Sequence, residues 1–288
     1  MRIVFMGTPD FAVSSLEAVI GSSHEVVAVF TRADKPRARG NKVVFSPVKS
    51  ASLAHGIPIE QPASLKNDEA VEVIRGYKPD CIAVAAYGLI LPEVVLNLPE
   101  YGCLNVHASL LPRYRGAAPI NRCIMDGERE SGITIMQMDK GIDTGDMLLS
   151  GRVNIKEDMT ASQLHDVLAK MGGELLVKAL DGIASLTGVK QDDSMSCNAA
   201  MLTKDDCRLD FTKPAKEVYN QIRGLADAPC SYTFLGEKRI KVYKAVIESE
   251  ALGIPVTCRD GGVVVLTEIQ PEGGKRMSAA DFLKGNKI

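Results

Sequence analysis

The run Cys81-Ile82-Ala83-Val84-Ala85-Ala86 constrains the fold most, because it is apolar at every position and does not alternate. A half-exposed strand alternates, whereas a uniformly apolar one has both faces covered, as in a mainly parallel sheet with helices on each side. The neighbouring pattern agrees. Strands are predicted at Arg2–Met6, Glu25–Phe30, Ile57–Gln61, Asp80–Ala86, Gly102–His107 and Ile133–Met138, with helical stretches between them at Asp10–Ile20, Val48–His55, Asp68–Tyr77 and Ala118–Met125. At the first turn, Gly7-Thr8-Pro9, Thr8 is expected to cap the helix and Pro9 to be its first residue. No G-x-G-x-x-G follows, which argues against a dinucleotide site. A long helix, Ala161–Leu186, carries Leu164, Leu168, Met171, Leu175 and Leu176 at helical spacing, as a core-facing stripe would.

The 288 residues suffice for one large or two ordinary domains. Composition shifts after Gly188, so a first domain is expected over 1–188, a linker over 189–207 containing the polar Gln191-Asp192-Asp193-Ser194, and a smaller domain over 208–288. That last part has one helix, Ala215–Arg223, and strand-like runs Ser231–Leu235, Arg239–Ala245 and Gly262–Ile269, which suggests a small barrel. The seven cysteines are odd in number, widely spaced and without a C-x-x-C pair, as expected of reduced thiols in a cytoplasmic protein. No signal peptide and no membrane-spanning apolar run is expected, and His24, His55 and His165 lack partners at metal-ligand spacing, so no metal is expected. The net charge of −2 gives no global sign of nucleic-acid binding, so any RNA contact must come from a local basic patch.

Two polar side chains sit at the end of the strand Gly102–His107. The strand period of two sends Asn105 and His107 to one side, about 6.6 Å apart, near enough to converge on one reacting group. A neutral amide suits donation to an oxyanion, and an imidazole suits proton exchange near neutral pH. Two satisfied polar residues at an ordinary strand end are the bland alternative. Asp143, in the Gly-rich turn Lys140–Asp146, offers a carboxylate that would favour a protonated His107 and hold a proton-carrying water; aspartate beside glycine is also a common turn residue, and spacing alone does not choose it over Asp146.

The longer strings carry a resemblance. Met6-Gly7-Thr8-Pro9-Asp10-Phe11, Ala86 to Pro92, Asn105 to Pro119, Ile133 to Asp139, Asp143 to Met147 and Gln270 to Ser278 occur in register along nearly the whole chain. In these strings the chain resembles the folate-dependent formyltransferases, most closely those acting on a charged tRNA. The resemblance implies a Rossmann-like catalytic domain and an OB-like C-terminal domain, with Asn105, His107 and Asp143 as the catalytic set. It implies 10-formyltetrahydrofolate as co-substrate, held by the loops Tyr87-Gly88-Leu89 and Ser109-Leu110-Leu111-Pro112. Arg113 and Arg115 are candidates for its anionic tail or for RNA phosphate. Between Lys244 and Val263 the chain is shorter than the family pattern, and Ser249–Cys258 runs irregularly where a further strand would be expected.

The acceptor that the resemblance implies is initiator methionyl-tRNA, and the protein is expected to act as a monomer. Two basic stretches fit such a partner. The loop Thr31–Lys42 carries Arg32, Lys35, Arg37, Arg39 and Lys42 against the single acid Asp34; a solvated loop tip is the plain alternative. Lys238, Arg239, Lys241 and Lys244 follow on a strand of the small domain, Lys238 and Lys244 on one face, Arg239 and Lys241 on the other; a lysine-guarded β edge is nearly as good a reading. A small-amine acceptor such as glycinamide ribonucleotide or an amino-sugar nucleotide, and hydrolysis of the folate to formate, are the competing chemistries. A non-catalytic RNA-binding module is the competing class.

Overall fold

The computed structural model describes residues 1–36, 43–247 and 250–286, and for residues 35, 36 and 43 the backbone alone. The chain divides into two compact units. The first takes Met1–Arg115, Gly132–Val153 and Asp166–Asn198; the second takes Gly116–Ser131, Asn154–His165 and Ala199–Ile288.

Up to residue 182 the elements are β1 (Arg2–Gly7), α1 (Asp10–Ile20), β2 (Glu25–Phe30), the short β3 (Lys35–Pro36) and β4 (Val43–Val44), α2 (Pro47–Ala54), β5 (Ile59–Glu60), α3 (Asp68–Gly76), β6 (Cys81–Ala85), α4 (Glu93–Leu96), β7 (Cys103–His107), α5 (Pro119–Met125), β8 (Glu130–Gln137), β9 (Met147–Asn154) and α6 (Ala161–Gly182). The main sheet has the order β5-β2-β1-β6-β7-β8-β9. Strands β5, β2, β1, β6 and β7 run parallel, and β8 turns antiparallel, setting His107 opposite Thr134. The chain leaves β1 for β2 and β5, then returns to lay β6 on the other side of β1. Such a reversal opens a crevice at the carboxyl ends of the strands, where α/β sheets bind ligands.

Helices cover both faces, as the unbroken apolar runs require. Val4, Met6, Ile82 and Val84 pack with Val71 and Ile74 of α3 and Val95 of α4, each burial worth about 1.5–3 kcal/mol. On the opposite face α6 approaches so closely that a Cβ at Gly173 would lie 2.7 Å from the Ser14 carbonyl oxygen of α1. Thr8 departs from expectation: Pro9 is the N-cap residue of α1, without a side-chain cap, and the Thr8 hydroxyl instead donates to the Tyr87 carbonyl at 2.9 Å. It ties the turn after β1 to the turn after β6.

The second unit adds α7 (Ala215–Gly224), β10 (Ser231–Leu235), β11 (Lys238–Val246), β12 (Ile254–Thr257), β13 (Val263–Pro271), β14 (Met277–Ser278) and α8 (Ala279–Gly285). Its sheet runs β10-β11-β13-β12 with β14 beside β13, antiparallel throughout. Two register shifts flank Lys244 in β11 and curl the sheet into a half-barrel. Val218 and Ile222 of α7 fill its concave side against Ile240, Val242, Leu266 and Ile269. The irregular segment before Val263 does contain a strand. Pro255 hides it from pattern reading, yet β12 lies at the end of the sheet order, where a missing N–H is tolerated.

All seven cysteines are free, and only Cys197 is exposed. Burial pushes the Cys123 and Cys230 thiols up to about 11, away from thiolate chemistry. Among the described residues no helix is long and apolar enough to cross a membrane, and no cluster of metal-ligating side chains occurs.

Candidate active site

Asn105 and His107 do share one side of β7, and both meet Asp143. The Asn105 Nδ2 donates to Asp143 Oδ1 at 3.4 Å, and His107 Nδ1 lies 3.5 Å from Asp143 Oδ2. The imidazole is 5% exposed and the carboxylate side chain 17%, so the group sits at a rim rather than in bulk water. His107 Nε2 is 2.9 Å from the Tyr114 carbonyl oxygen. A carbonyl only accepts, so Nε2 carries the hydrogen, and Nδ1, the nitrogen beside Asp143, is left to exchange a proton. Asp143 holds a positive φ of 53°, a conformation few non-glycine residues adopt and one that clusters at functional sites. Its neighbour Asp146 is engaged elsewhere, with Lys190 Nζ at 3.3 Å.

Thr134 and Gln191, neither of them a candidate from the sequence, hold this arrangement together with Ser109 and Arg115. Thr134, fully buried in β8, donates through Oγ1 to the Ser109 carbonyl at 2.8 Å and accepts the Leu111 N–H at 3.1 Å. A hydroxyl amid the apolar Ile133-Thr134-Ile135 was the available signal. Ser109 Oγ in turn donates to the Arg113 carbonyl at 2.6 Å, closing the loop on itself. Gln191 donates from one amide nitrogen to the carbonyls of Asp143 and Gly145, both at 2.8 Å. Arg115 is tied to Gln191 Oε1 at 2.9 Å and to Asp193 at 2.7 Å, so its guanidinium braces the protein itself. Nothing in the local sequence marks Gln191.

The expected folate loops differ in what they offer. The Tyr87 ring is core, its hydroxyl buried without a hydrogen-bond partner among the described residues and pushed up to about 12 by that burial. Gly88 is exposed at φ 82°, its carbonyl accepting from Arg32 Nη1. The main-chain groups of Leu89 and Ile90 make no hydrogen bond among the described residues, and Ile90 is 72% exposed. Open N–H and C=O groups beside a bare aliphatic side chain fit a flat ring with a polar edge. Leu111 is buried, Leu110 and Pro112 partly so.

Of the basic candidates, Arg37, Arg39 and Lys42 lie outside the described residues. Lys238, Arg239 and Lys241 are exposed on β11. The Arg239 guanidinium stacks 4.0 Å over the Tyr232 ring, and Tyr232 pairs across the strands with Lys241, so Arg239 and Lys241 do share a face. They border a groove of about 190 Å³ with Gln270 and Glu272. The bulge removes Lys244 from simple alternation, and it pairs with Glu268 at 3.4 Å.

An amide, an imidazole and a carboxylate gathered at the rim of a wound sheet can stabilise an oxyanion and move a proton during acyl transfer. The family described as formyl transferase matches residues 1–180, and that described as formyl transferase, C-terminal domain, matches residues 201–287; the chain belongs to the formyl transferase family. Its similarity to the methionyl-tRNA formyltransferase of Citrifermentans bemidjiense is 46% identity, covering 100% of this chain and 94% of that protein. The methionyl-tRNA formyltransferase of Clostridium novyi is 45% identical, with 100% and 98% covered. Among solved structures the fold is shared with WlaRD, a sugar 3N-formyl transferase in the presence of dTDP and 5-N-formyl-THF, at TM-score 0.66 and 22% identity, covering 92% of this chain and 96% of that one. HypX from Aquifex aeolicus in complex with tetrahydrofolic acid gives TM-score 0.66 at 17% identity, covering 98% of this chain and 47% of that one.

Proposed function

We propose that this chain transfers a formyl group from 10-formyltetrahydrofolate to the amino group of initiator methionyl-tRNA in the cytoplasm, acting as a monomer. The observation that carries this reading is the convergence of Asn105 and His107 on Asp143, in a chain matched end to end by relatives that bear that name. The folate supplies an activated one-carbon acyl group. Asn105 has two amide hydrogens, one of them given to Asp143, and the other serves the formyl oxygen as charge develops there. His107 Nδ1 takes the proton that the amine loses as its bond to the formyl carbon forms, Asp143 stabilises the charge this creates, and the same proton is returned to the folate nitrogen as its bond to the formyl carbon breaks. The incoming amine is itself the nucleophile, so no covalent enzyme intermediate is needed. Gly88 to Ile90 read the edge of the pterin, and Ser109 to Pro112 bound the folate on the other side.

Within this reading residues 1–188 carry the chemistry, 189–207 form the linker, and 208–288 engage the tRNA through Lys238, Arg239 and Lys241. Arg37, Arg39 and Lys42 meet the acceptor end. Acceptor competition tests the proposal. Labelled formyl is followed in the presence of methionyl-tRNA, uncharged tRNA, an amino-sugar nucleotide and glycinamide ribonucleotide. Label should appear on methionyl-tRNA alone. Label on a small amine, or free formate as the main product, would replace this reading with one of its competitors.

A further inference from the structure

We infer that Gln191, in the polar stretch after the catalytic fold, is a positioning residue that sets the distance between His107 and Asp143; the inference rests on the formyl-transfer reading above. Three observations meet at this one amide. Asp143 stands at φ 53°, a backbone state that needs outside support in a residue with a side chain. Both hydrogens of the Gln191 Nε2 supply that support, to the carbonyls of Asp143 and Gly145 at 2.8 Å each. Its Oε1 accepts from Arg115 Nε at 2.9 Å, and Arg115 directly follows Tyr114, whose carbonyl receives the His107 Nε2 hydrogen.

The amide therefore joins two segments, the one that orients the imidazole and the one that presents the carboxylate. Its neighbours anchor it. Met147 and Val189 exchange paired main-chain hydrogen bonds at 2.8 Å, Lys190 reaches Asp146 at 3.3 Å, and Asp193 holds Arg115 at 2.7 Å. A carboxylate in place of the amide has no hydrogen to give the two carbonyls, and a shorter side chain does not span the gap. Such a residue acts on rate through geometry rather than by touching substrate, and a misplacement of about 1 Å in a reacting pair costs roughly a hundredfold.

The test uses the full-length protein with methionyl-tRNA and the formylated folate. Gln191→Ala and Gln191→Glu should each lower kcat by about a hundredfold, with KM for both substrates within about twofold of wild type. In an Asp143→Ala background Gln191→Ala should add almost nothing, because its effect passes through that carboxylate. Full kcat in both single variants overturns the inference, as does an equal further loss in the Asp143→Ala background. So does a loss confined to KM. If Gln191→Ala does not fold, the Gln191→Glu series decides by the same criteria. A wild-type protein that does not formylate methionyl-tRNA at all refutes the underlying reading instead, and that result is scored before any variant.

Discussion

Replacing Thr134 by valine isolates the hydroxyl that braces the 109–112 loop. Valine keeps the branched shape, so the change removes hydrogen bonding without opening a cavity. The hydroxyl gives to the Ser109 carbonyl at 2.8 Å and takes the Leu111 N–H at 3.1 Å, in surroundings where Thr134 is fully buried and Ser109 is 1% exposed. Water does not replace those bonds, so each orphaned group costs about 1–3 kcal/mol, and the pair about 3 kcal/mol. For a unit of this size that lowers Tm by roughly 6–12 °C. Thr134→Ser is the control, since it keeps the hydroxyl and loses one methyl worth about 1 kcal/mol. Thermal melts of the three proteins are compared at one pH, and a folate analogue is titrated into each. The valine variant should melt well below the serine variant and bind the analogue more weakly. A valine variant that melts with the wild type, or above the serine variant, refutes the argument.

Three further outcomes follow from other contacts. At Gly145 an added Cβ would stand 1.8 Å from the Gln137 carbonyl oxygen, so Gly145→Ala must shift the loop that carries Asp143 and should cost kcat about tenfold or more in a steady-state transfer assay. The Arg122 fork beside Asp206 holds that carboxyl at about 2 against an ordinary 3.8, so its stabilisation is complete above the unfolded value and is lost as pH falls from about 4 through 2. Asp206→Asn should cost on the order of 2 kcal/mol at neutral pH and flatten acid unfolding in that window; identical acid-denaturation curves would count against it. Neutralising Arg239 and Lys241 together should reduce the slope of log affinity for tRNA against log salt by about 2, and an unchanged slope removes this face from the tRNA site.

What the sequence made legible followed from periodicity. The unbroken apolar run of β6 implied a covered sheet, and both faces are covered. The period of two along β7 placed Asn105 and His107 together, and they share Asp143. Choosing Asp143 over Asp146 needed either the family resemblance or the fold, because the partners that separate them, His107 and Lys190, are distant in sequence. Thr8 had the chemistry of a cap, but a carbonyl 79 residues away competed for it successfully. β12 was obscured by Pro255, and β9 by the mixed exposure of an edge strand. Gln191 had no local signature at all: its partners lie 46, 48 and 76 residues away, and only closure of the fold brings them to one amide.

In the proposed reaction His107, paired with Asp143, moves the proton when the formyl group passes to an amine. The most direct measurement is single-turnover formylation of methionyl-tRNA by His107→Ala, beside binding of a non-reactive folate by the same protein. The single-turnover rate should fall by about 10²–10⁴-fold with folate affinity preserved. A rate equal to the wild type, with folate bound equally well, would contradict it.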